Sequence, residues 1–128
     1  MSNGAGRRRV AISQRVEFLK DRNERRDSLD QRWAPLLASC GLLPVPVANH
    51  PDSVDDLLAE LDPVGVILSG GGDLSSQGAD AADRDAVERK FLAWAQSRGR
   101  PVFAVCRGMQ HLLTLSGVDL VSVAGHVG

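Results

Sequence analysis

One ten-residue stretch constrains the fold more than any other: Pro101-Val102-Phe103-Ala104-Val105-Cys106-Arg107-Gly108-Met109-Gln110. A proline opens an apolar run too short for a helical period, so the run predicts a buried parallel strand that delivers Cys106 to its carboxyl end. Gly108 permits a tight reversal, and Met109, Leu112, Leu113 and Leu115 then mark a helix that stops near Gly117. A strand that turns sharply into a helix through a cysteine has the geometry of a nucleophile elbow, with the helix's first free N–H groups beside the sulfur. Their partial positive charge favours thiolate over thiol and lowers a pKa that is about 8.5 for a free cysteine. A lone cysteine is more often a small core residue; the turn that follows this one reverses that preference.

The rest of the chain repeats the same alternation. Val10-Ala11-Ile12-Ser13 predicts a first strand. Ser28-Leu29-Asp30-Gln31 reads as a capping box, and Leu29, Trp33, Leu36, Leu37 and Cys40 fall on one helical stripe that ends at Gly41, which places Cys40 in the core. Residues 42–47 predict a strand that is short or near a sheet edge, because Pro44 and Pro46 donate nothing to a ladder. Ser53 and Asp56 open a helix with Leu57, Leu58 and Leu61 inward, and Pro63 stops it; His50, before it, reads as a polar loop residue. Val64-Gly65-Val66-Ile67-Leu68 is the third strand. Residues 74–82 read as a surface loop, Asp83 as the N-cap of a helix with Val87, Phe91, Trp94 and Ala95 inward, and residues 118–123 as a last strand. Strand and helix alternating four times, with short connections, predict an α/β fold: a doubly wound, mostly parallel sheet with helices on both faces.

With 128 residues, 43% of them hydrophobic, 24% charged and a net charge of −1, the chain is expected to build one soluble core. That balance excludes nucleic acid as a partner by bulk charge, and no apolar run reaches the roughly 18 residues of a membrane span. Residues 1–8 read as a flexible tail and residues 9–128 as the folded part. No secretory hydrophobic segment follows Met1, so a cytoplasmic location is expected. Two cysteines, Cys40 and Cys106, make no disulfide framework, and no spacing suggests a metal site; no cofactor is expected.

Two further stretches bear on chemistry. Ser69-Gly70-Gly71-Gly72-Asp73 follows a buried strand, and three consecutive glycines are costly unless a positive φ or a close approach requires them. Without a GxxxxGK[ST] or GxGxxG pattern a phosphate cradle is weakly supported; beside an elbow cysteine, an oxyanion hole is the better assignment. Residues 14–27 mix Arg15, Lys20, Arg22, Arg25 and Arg26 with Glu17, Asp21, Glu24 and Asp27. Mixed signs suit a solvated loop, yet this one follows the carboxyl end of a strand, where open α/β sheets bind ligands. Arg15, Arg22 and Arg26 are therefore candidates to hold an anion.

Ile67-Leu68-Ser69-Gly70-Gly71-Gly72-Asp73, Arg84-Asp85-Ala86-Val87-Glu88 and Val105-Cys106-Arg107-Gly108-Met109-Gln110, in this order and spacing, resemble the class I glutamine amidotransferase superfamily. Within it they resemble the γ-glutamyl hydrolase branch, peptidase C26, which includes the γ-glutamyl-γ-aminobutyrate hydrolases. Residues 12–16 and 22–33 further resemble the γ-glutamyl-CDP-amidate hydrolases of capsule phosphoramidate synthesis. The resemblance implies a flavodoxin-like fold and a cytoplasmic hydrolase that cleaves a small-molecule γ-glutamyl substrate. Cys106 would form a thioester, with the N–H groups of Arg107 and Gly71 as the oxyanion hole. Gly70, Gly72 and Gln110 would border the substrate, and Arg15, Arg22 and Arg26 a phosphate-bearing leaving group.

Ala104 stands where the family usually has glycine, a change of one methyl. The larger departure is length, since the family's domain is nearly twice as long and carries its catalytic histidine and glutamate in the second half. His111 lies about 140° round a helix from the elbow, and His126 matches a family Gly-His pair that is not the base. The chain is therefore expected to be an amino-terminal half with little or no turnover, working as a homodimer or with a complementing carboxyl-terminal half. Two alternatives stay open: a glutaminase subunit that passes ammonia to a synthetase, and a non-catalytic interaction fragment.

Overall fold

In a computed structural model of the protein, residues 8–70 and 78–105 are described, with the side chains of 78–81 left aside. Four strands, β1 (Arg8–Ile12), β4 (Leu42–Pro46), β5 (Gly65–Leu68) and β6 (Val102–Ala104), form one parallel sheet in the order β4-β1-β5-β6. Between β1 and β4 come β2 (Arg15–Leu19), β3 (Glu24–Ser28) and the helix α1 (Trp33–Ser39). The helices α2 (Pro51–Leu61) and α3 (Gly78–Arg98) connect β4 to β5 and β5 to β6. This is an α/β fold of the flavodoxin-like type.

Burial on both faces explains why the strands read as unbroken apolar runs. Successive side chains point to opposite faces. Thus Ala11, Val66 and Leu68 pack with Val54 and Leu58 of α2 and Val87, Phe91, Leu92 and Ala95 of α3. Val10, Ile12 and Ile67 face the other way, against Leu37, with Leu29 and Trp33 alongside. Each strand of the middle pair thus serves two cores at once. At the start of β5, Gly65 lies so close to Pro101 that a Cβ would sit 3.1 Å from its carbonyl oxygen. α3 gives way to Gly99, whose φ of 65° is left-handed, a conformation glycine adopts without strain.

The two-proline strand is where its missing donors place it: β4 is a margin of the sheet, paired only to β1 among the described residues. β6 forms the other margin of the described sheet, and its Phe103 is 59% exposed, so this strand is less buried than its composition suggests.

Several local expectations are corrected. The charged segment 14–27 is not a loop but an antiparallel hairpin, β2 against β3, with Arg15 opposite Ser28 and Leu19 opposite Glu24. Lys20–Arg22 forms a 3₁₀ turn at its tip, closed by Asn23 at a φ of 50°, a left-handed conformation that asparagine tolerates. The Ser28 capping box does not form. Asp30 Oδ1 instead accepts the N–H of Arg32 at 2.8 Å, and Asp30 O accepts that of Trp33, so α1 begins at Trp33. In this shorter helix only Leu37 is fully buried; Leu36 is 55% exposed, and Cys40 is exposed rather than in the core.

α2 begins at Pro51, earlier than expected, and ends at Asp62, left-handed at a φ of 46°. α3 begins at Gly78, so part of the expected loop is helical and Asp83 is no N-cap. Its carboxylate accepts a hydrogen bond from Arg25 at 3.0 Å. The expected helix after Cys106 and the strand at 118–123 lie outside the described residues, as do residues 1–7 of the expected tail; β1 takes in Arg8.

Candidate functional site

The chain leaves β1 toward β4 on one side and returns across it to β5, so the order of connections reverses between β1 and β5. Open α/β sheets bind ligands outside the carboxyl ends of strands at such a point. Here those ends carry Ser13 and Ser69-Gly70, and Val105 follows the end of β6 next to β5.

A cavity of about 620 Å³ opens there. Gly70, Phe103 and Val105 contribute from the sheet, Leu29, Trp33 and Leu36 form an apolar wall, and Arg15, Glu17, Ser28, Asp30 and Arg32 supply polar groups from the hairpin and the turn after it. Of the stripe expected as core, Leu29 and Trp33 pack against the core and line this opening as well, whereas Leu36 only lines it. The cavity's position in the chain carries meaning: Gly70 immediately precedes Gly71, and Val105 immediately precedes Cys106.

The polar wall consists of two ion pairs. Arg15 Nη2 donates to Glu17 Oε2 at 2.7 Å while its Nε donates to Ser28 Oγ at 3.2 Å. Arg32 Nη2 donates to Asp30 Oδ2 at 2.7 Å. The Arg32 side chain and backbone N–H hold the Asp30 carboxyl down to about 2, and the same contact raises the Arg32 guanidinium above its ordinary value. Both pairs face solvent, so they set local charge geometry more than stability.

The hairpin bearing Arg15 and Glu17 is tied to the body through its opposite face. Asp27 accepts the Asn49 backbone N–H at 3.1 Å and its Nδ2 at 2.9 Å, and Arg25 reaches Asp83 on α3.

Behind Gly70 lies a group of buried polar residues that the apolar pattern did not single out: Ser13, Ser69, Arg84 and Glu88, each no more than 3% exposed. Ser13 donates to Glu88 Oε2 at 2.7 Å and accepts the Ser69 N–H at 3.0 Å. Ser69 donates to the Ser13 carbonyl at 2.6 Å, and Arg84 Nη2 donates to the Ser69 carbonyl at 2.7 Å. The signal was present in the helix period, because Glu88 falls within the stripe of Val87, Phe91 and Ala95, three residues before Phe91, and Arg84 lies three residues before Val87.

Of the residues expected to act, Gly70 and Arg15 line the cavity together. Arg26 lies on β3, ion-paired to Glu24 at 2.7 Å, and Arg22 lies in the turn at the hairpin tip; neither lines the cavity. Asp30 and Arg32 line it without having been expected to. Cys106, Arg107, Gln110, Gly71 and Gly72 lie outside the described residues, as do His111 and His126. His50, the one described histidine, precedes α2 and does not line the cavity.

A doubly wound sheet whose cavity is lined by Gly70 and Val105, the residues that lead into the glycine run and the cysteine motif, fits a glutamine amidotransferase-like hydrolase. The peptidase C26 family model matches residues 10–125, and the chain belongs to that family. Membership makes it a cysteine-dependent hydrolase of amide bonds. No curated protein matches it. Among the described residues no helix is long and apolar enough to cross a membrane.

Proposed function

We propose that the protein, completed by a carboxyl-terminal half that supplies the family's histidine and glutamate, hydrolyses a γ-glutamyl amide and releases glutamate through a thioester on Cys106. The observation that carries this reading is the shared lining of the cavity, in which Gly70 and Val105 bring the chain to the threshold of the glycine run and of the cysteine. Amide hydrolysis by a thiolate needs a nucleophile on one side of a carbonyl and N–H donors where its oxygen becomes negative.

In this reading Cys106 Sγ attacks the amide carbon, and the N–H groups of Arg107 and Gly71 receive the oxyanion. The C–N bond breaks as the amine takes the proton that the Cys106 thiol gave up, carried across by the histidine of the complementing half. Water then cleaves the thioester, giving glutamate and the free thiol. Gly70, Gly72 and Gln110 border the glutamyl part. Arg15, on the cavity wall, is placed for a phosphate-bearing leaving group such as that of a γ-glutamyl-CDP-amidate, with Arg26 farther along the same hairpin and Arg22 at its tip.

The test is covalent labelling with a glutamine-derived chloroketone, read by mass spectrometry of the peptide that contains residue 106. An adduct on the natural chain and none on Cys106→Ser supports the reading. A folded chain whose thiol stays unlabelled overturns it.

A further inference from the structure

A buried ion pair is a poor device for stability, since stripping two charges of water costs about what their attraction returns, and apolar residues of like volume often do better. Arg84 and Glu88 are 3% and 0% exposed and joined at 3.3 Å from Nε to Oε2, so what they hold in place is the question.

Several of their contacts meet at Ser69. Arg84 Nη2 donates to the carbonyls of both Ser69, at 2.7 Å, and Gly70, at 3.3 Å, and also lies 3.2 Å from Ser69 Oγ. Glu88 holds Arg84 from one side and the Ser13 hydroxyl from the other, and Ser13 returns to the Ser69 N–H and accepts the Ser69 hydroxyl. Every polar group of Ser69 is thereby fixed. Successive carbonyls of an extended strand point in opposite directions; here two turn toward one guanidinium, so the strand geometry of β5 ends at this point. In a trans peptide the N–H lies opposite the carbonyl. A Ser69 carbonyl drawn down onto Arg84 therefore turns the Gly70 N–H away from the buried network, and Gly70 lines the cavity.

We infer that Arg84 and Glu88 are positioning residues that set the plane of the Ser69–Gly70 peptide at the cavity margin, so that the Gly70 N–H is directed toward the cavity where a ligand would sit. The catalytic consequence rests on the hydrolase reading; the placement does not.

Arg84→Lys keeps the charge but loses the planar fork that reaches carbonyl and carboxylate together. Glu88→Gln keeps the shape and loses the charge. Two readouts separate placement from chemistry. In amide hydrogen exchange, the buried Ser69 N–H, which donates to Ser13 Oγ, exchanges at least about tenfold faster in both variants while the Leu58 amide keeps its rate. With γ-glutamyl-p-nitroanilide as the probe substrate, kcat falls about 10- to 100-fold while KM stays within about twofold, the mark of a misplaced transition-state donor.

An unchanged Ser69 exchange rate overturns the placement, and faster exchange with kcat unaltered overturns its catalytic consequence. Should Arg84→Lys fail to fold, Glu88→Gln is read by the same two measurements. If the natural chain neither turns over nor labels at Cys106, the hydrolase reading fails, and the exchange rates alone decide the placement.

Discussion

The hydroxyl of Ser13 donates to Glu88 Oε2 at 2.7 Å across 75 residues of chain, tying the carboxyl end of β1 to α3 behind the cavity. The same oxygen accepts the Ser69 N–H, so one small side chain satisfies a buried carboxylate and a buried amide. Ser13→Ala removes both bonds and leaves room for no replacement, since Ser13 has no exposed surface. A buried group left without its partner costs about 1–3 kcal/mol, and urea unfolding should register a loss of that size.

Phe91 is fully buried in the core between the sheet, α2 and α3, while Leu36 on α1 is 55% exposed at the cavity wall. Phe91→Ala should therefore lower stability by about 3–5 kcal/mol, and Leu36→Ala by no more than about 0.5 kcal/mol. Equal losses in parallel urea titrations would restore Leu36 to the core.

The difference between these two residues marks how far the sequence could be read. Strands buried on both faces announce themselves as Val10-Ala11-Ile12 and Val66-Ile67-Leu68, and their neighbours follow from the alternation. β3 could not be read, because Glu24-Arg25-Arg26-Asp27-Ser28 has no apolar residue and is held by its partner strand and by Asn49. The start of α1 was displaced by a side-chain contact, Asp30 capturing the Arg32 N–H, that competes with the apparent capping box. α3 starts early because Ala-rich residues that look like loop are strong helix formers. At the site, only the flanks of the two motifs, Gly70 and Val105, are seen to reach the cavity, and the buried role of Arg84 and Glu88 was hidden because both are charged residues on an otherwise apolar helix face.

Asp30 gives a pH-dependent observable at the cavity wall. Its carboxyl is held at about 2 by the Arg32 side chain and N–H, below the ordinary value of 3.8. Because the folded value is the lower one, the contact favours the folded state above about pH 4, and that contribution fades as the pH falls toward 2. A carboxyl-detected NMR titration should place Asp30 near 2 in the natural chain and closer to 3.8 in Arg32→Ala. A titration near 3.8 in both would mean that the pair does not persist in water.

Arg15 and Arg22 separate two accounts of the charged hairpin. If the hairpin serves only as a solvated surface, neutralising either arginine has the same negligible effect on catalysis. The structure distinguishes them: Arg15 lines the cavity with Gly70, whereas Arg22 sits at the tip, beyond the paired strands. Hydrogen bonds to charged groups contribute about 1.5–3 kcal/mol, which corresponds to roughly 10- to 100-fold in binding. Arg15→Gln should accordingly raise KM at least about tenfold for a γ-glutamyl substrate with a phosphate-bearing leaving group, and within about twofold for γ-glutamyl-p-nitroanilide. Arg22→Gln should change neither. The Arg15 effect should also shrink with added salt, because this side chain is half exposed and its pairing is open to screening. Equal KM values for the two substrates in Arg15→Gln would assign the leaving group to the apolar wall of Leu29, Trp33 and Leu36 instead.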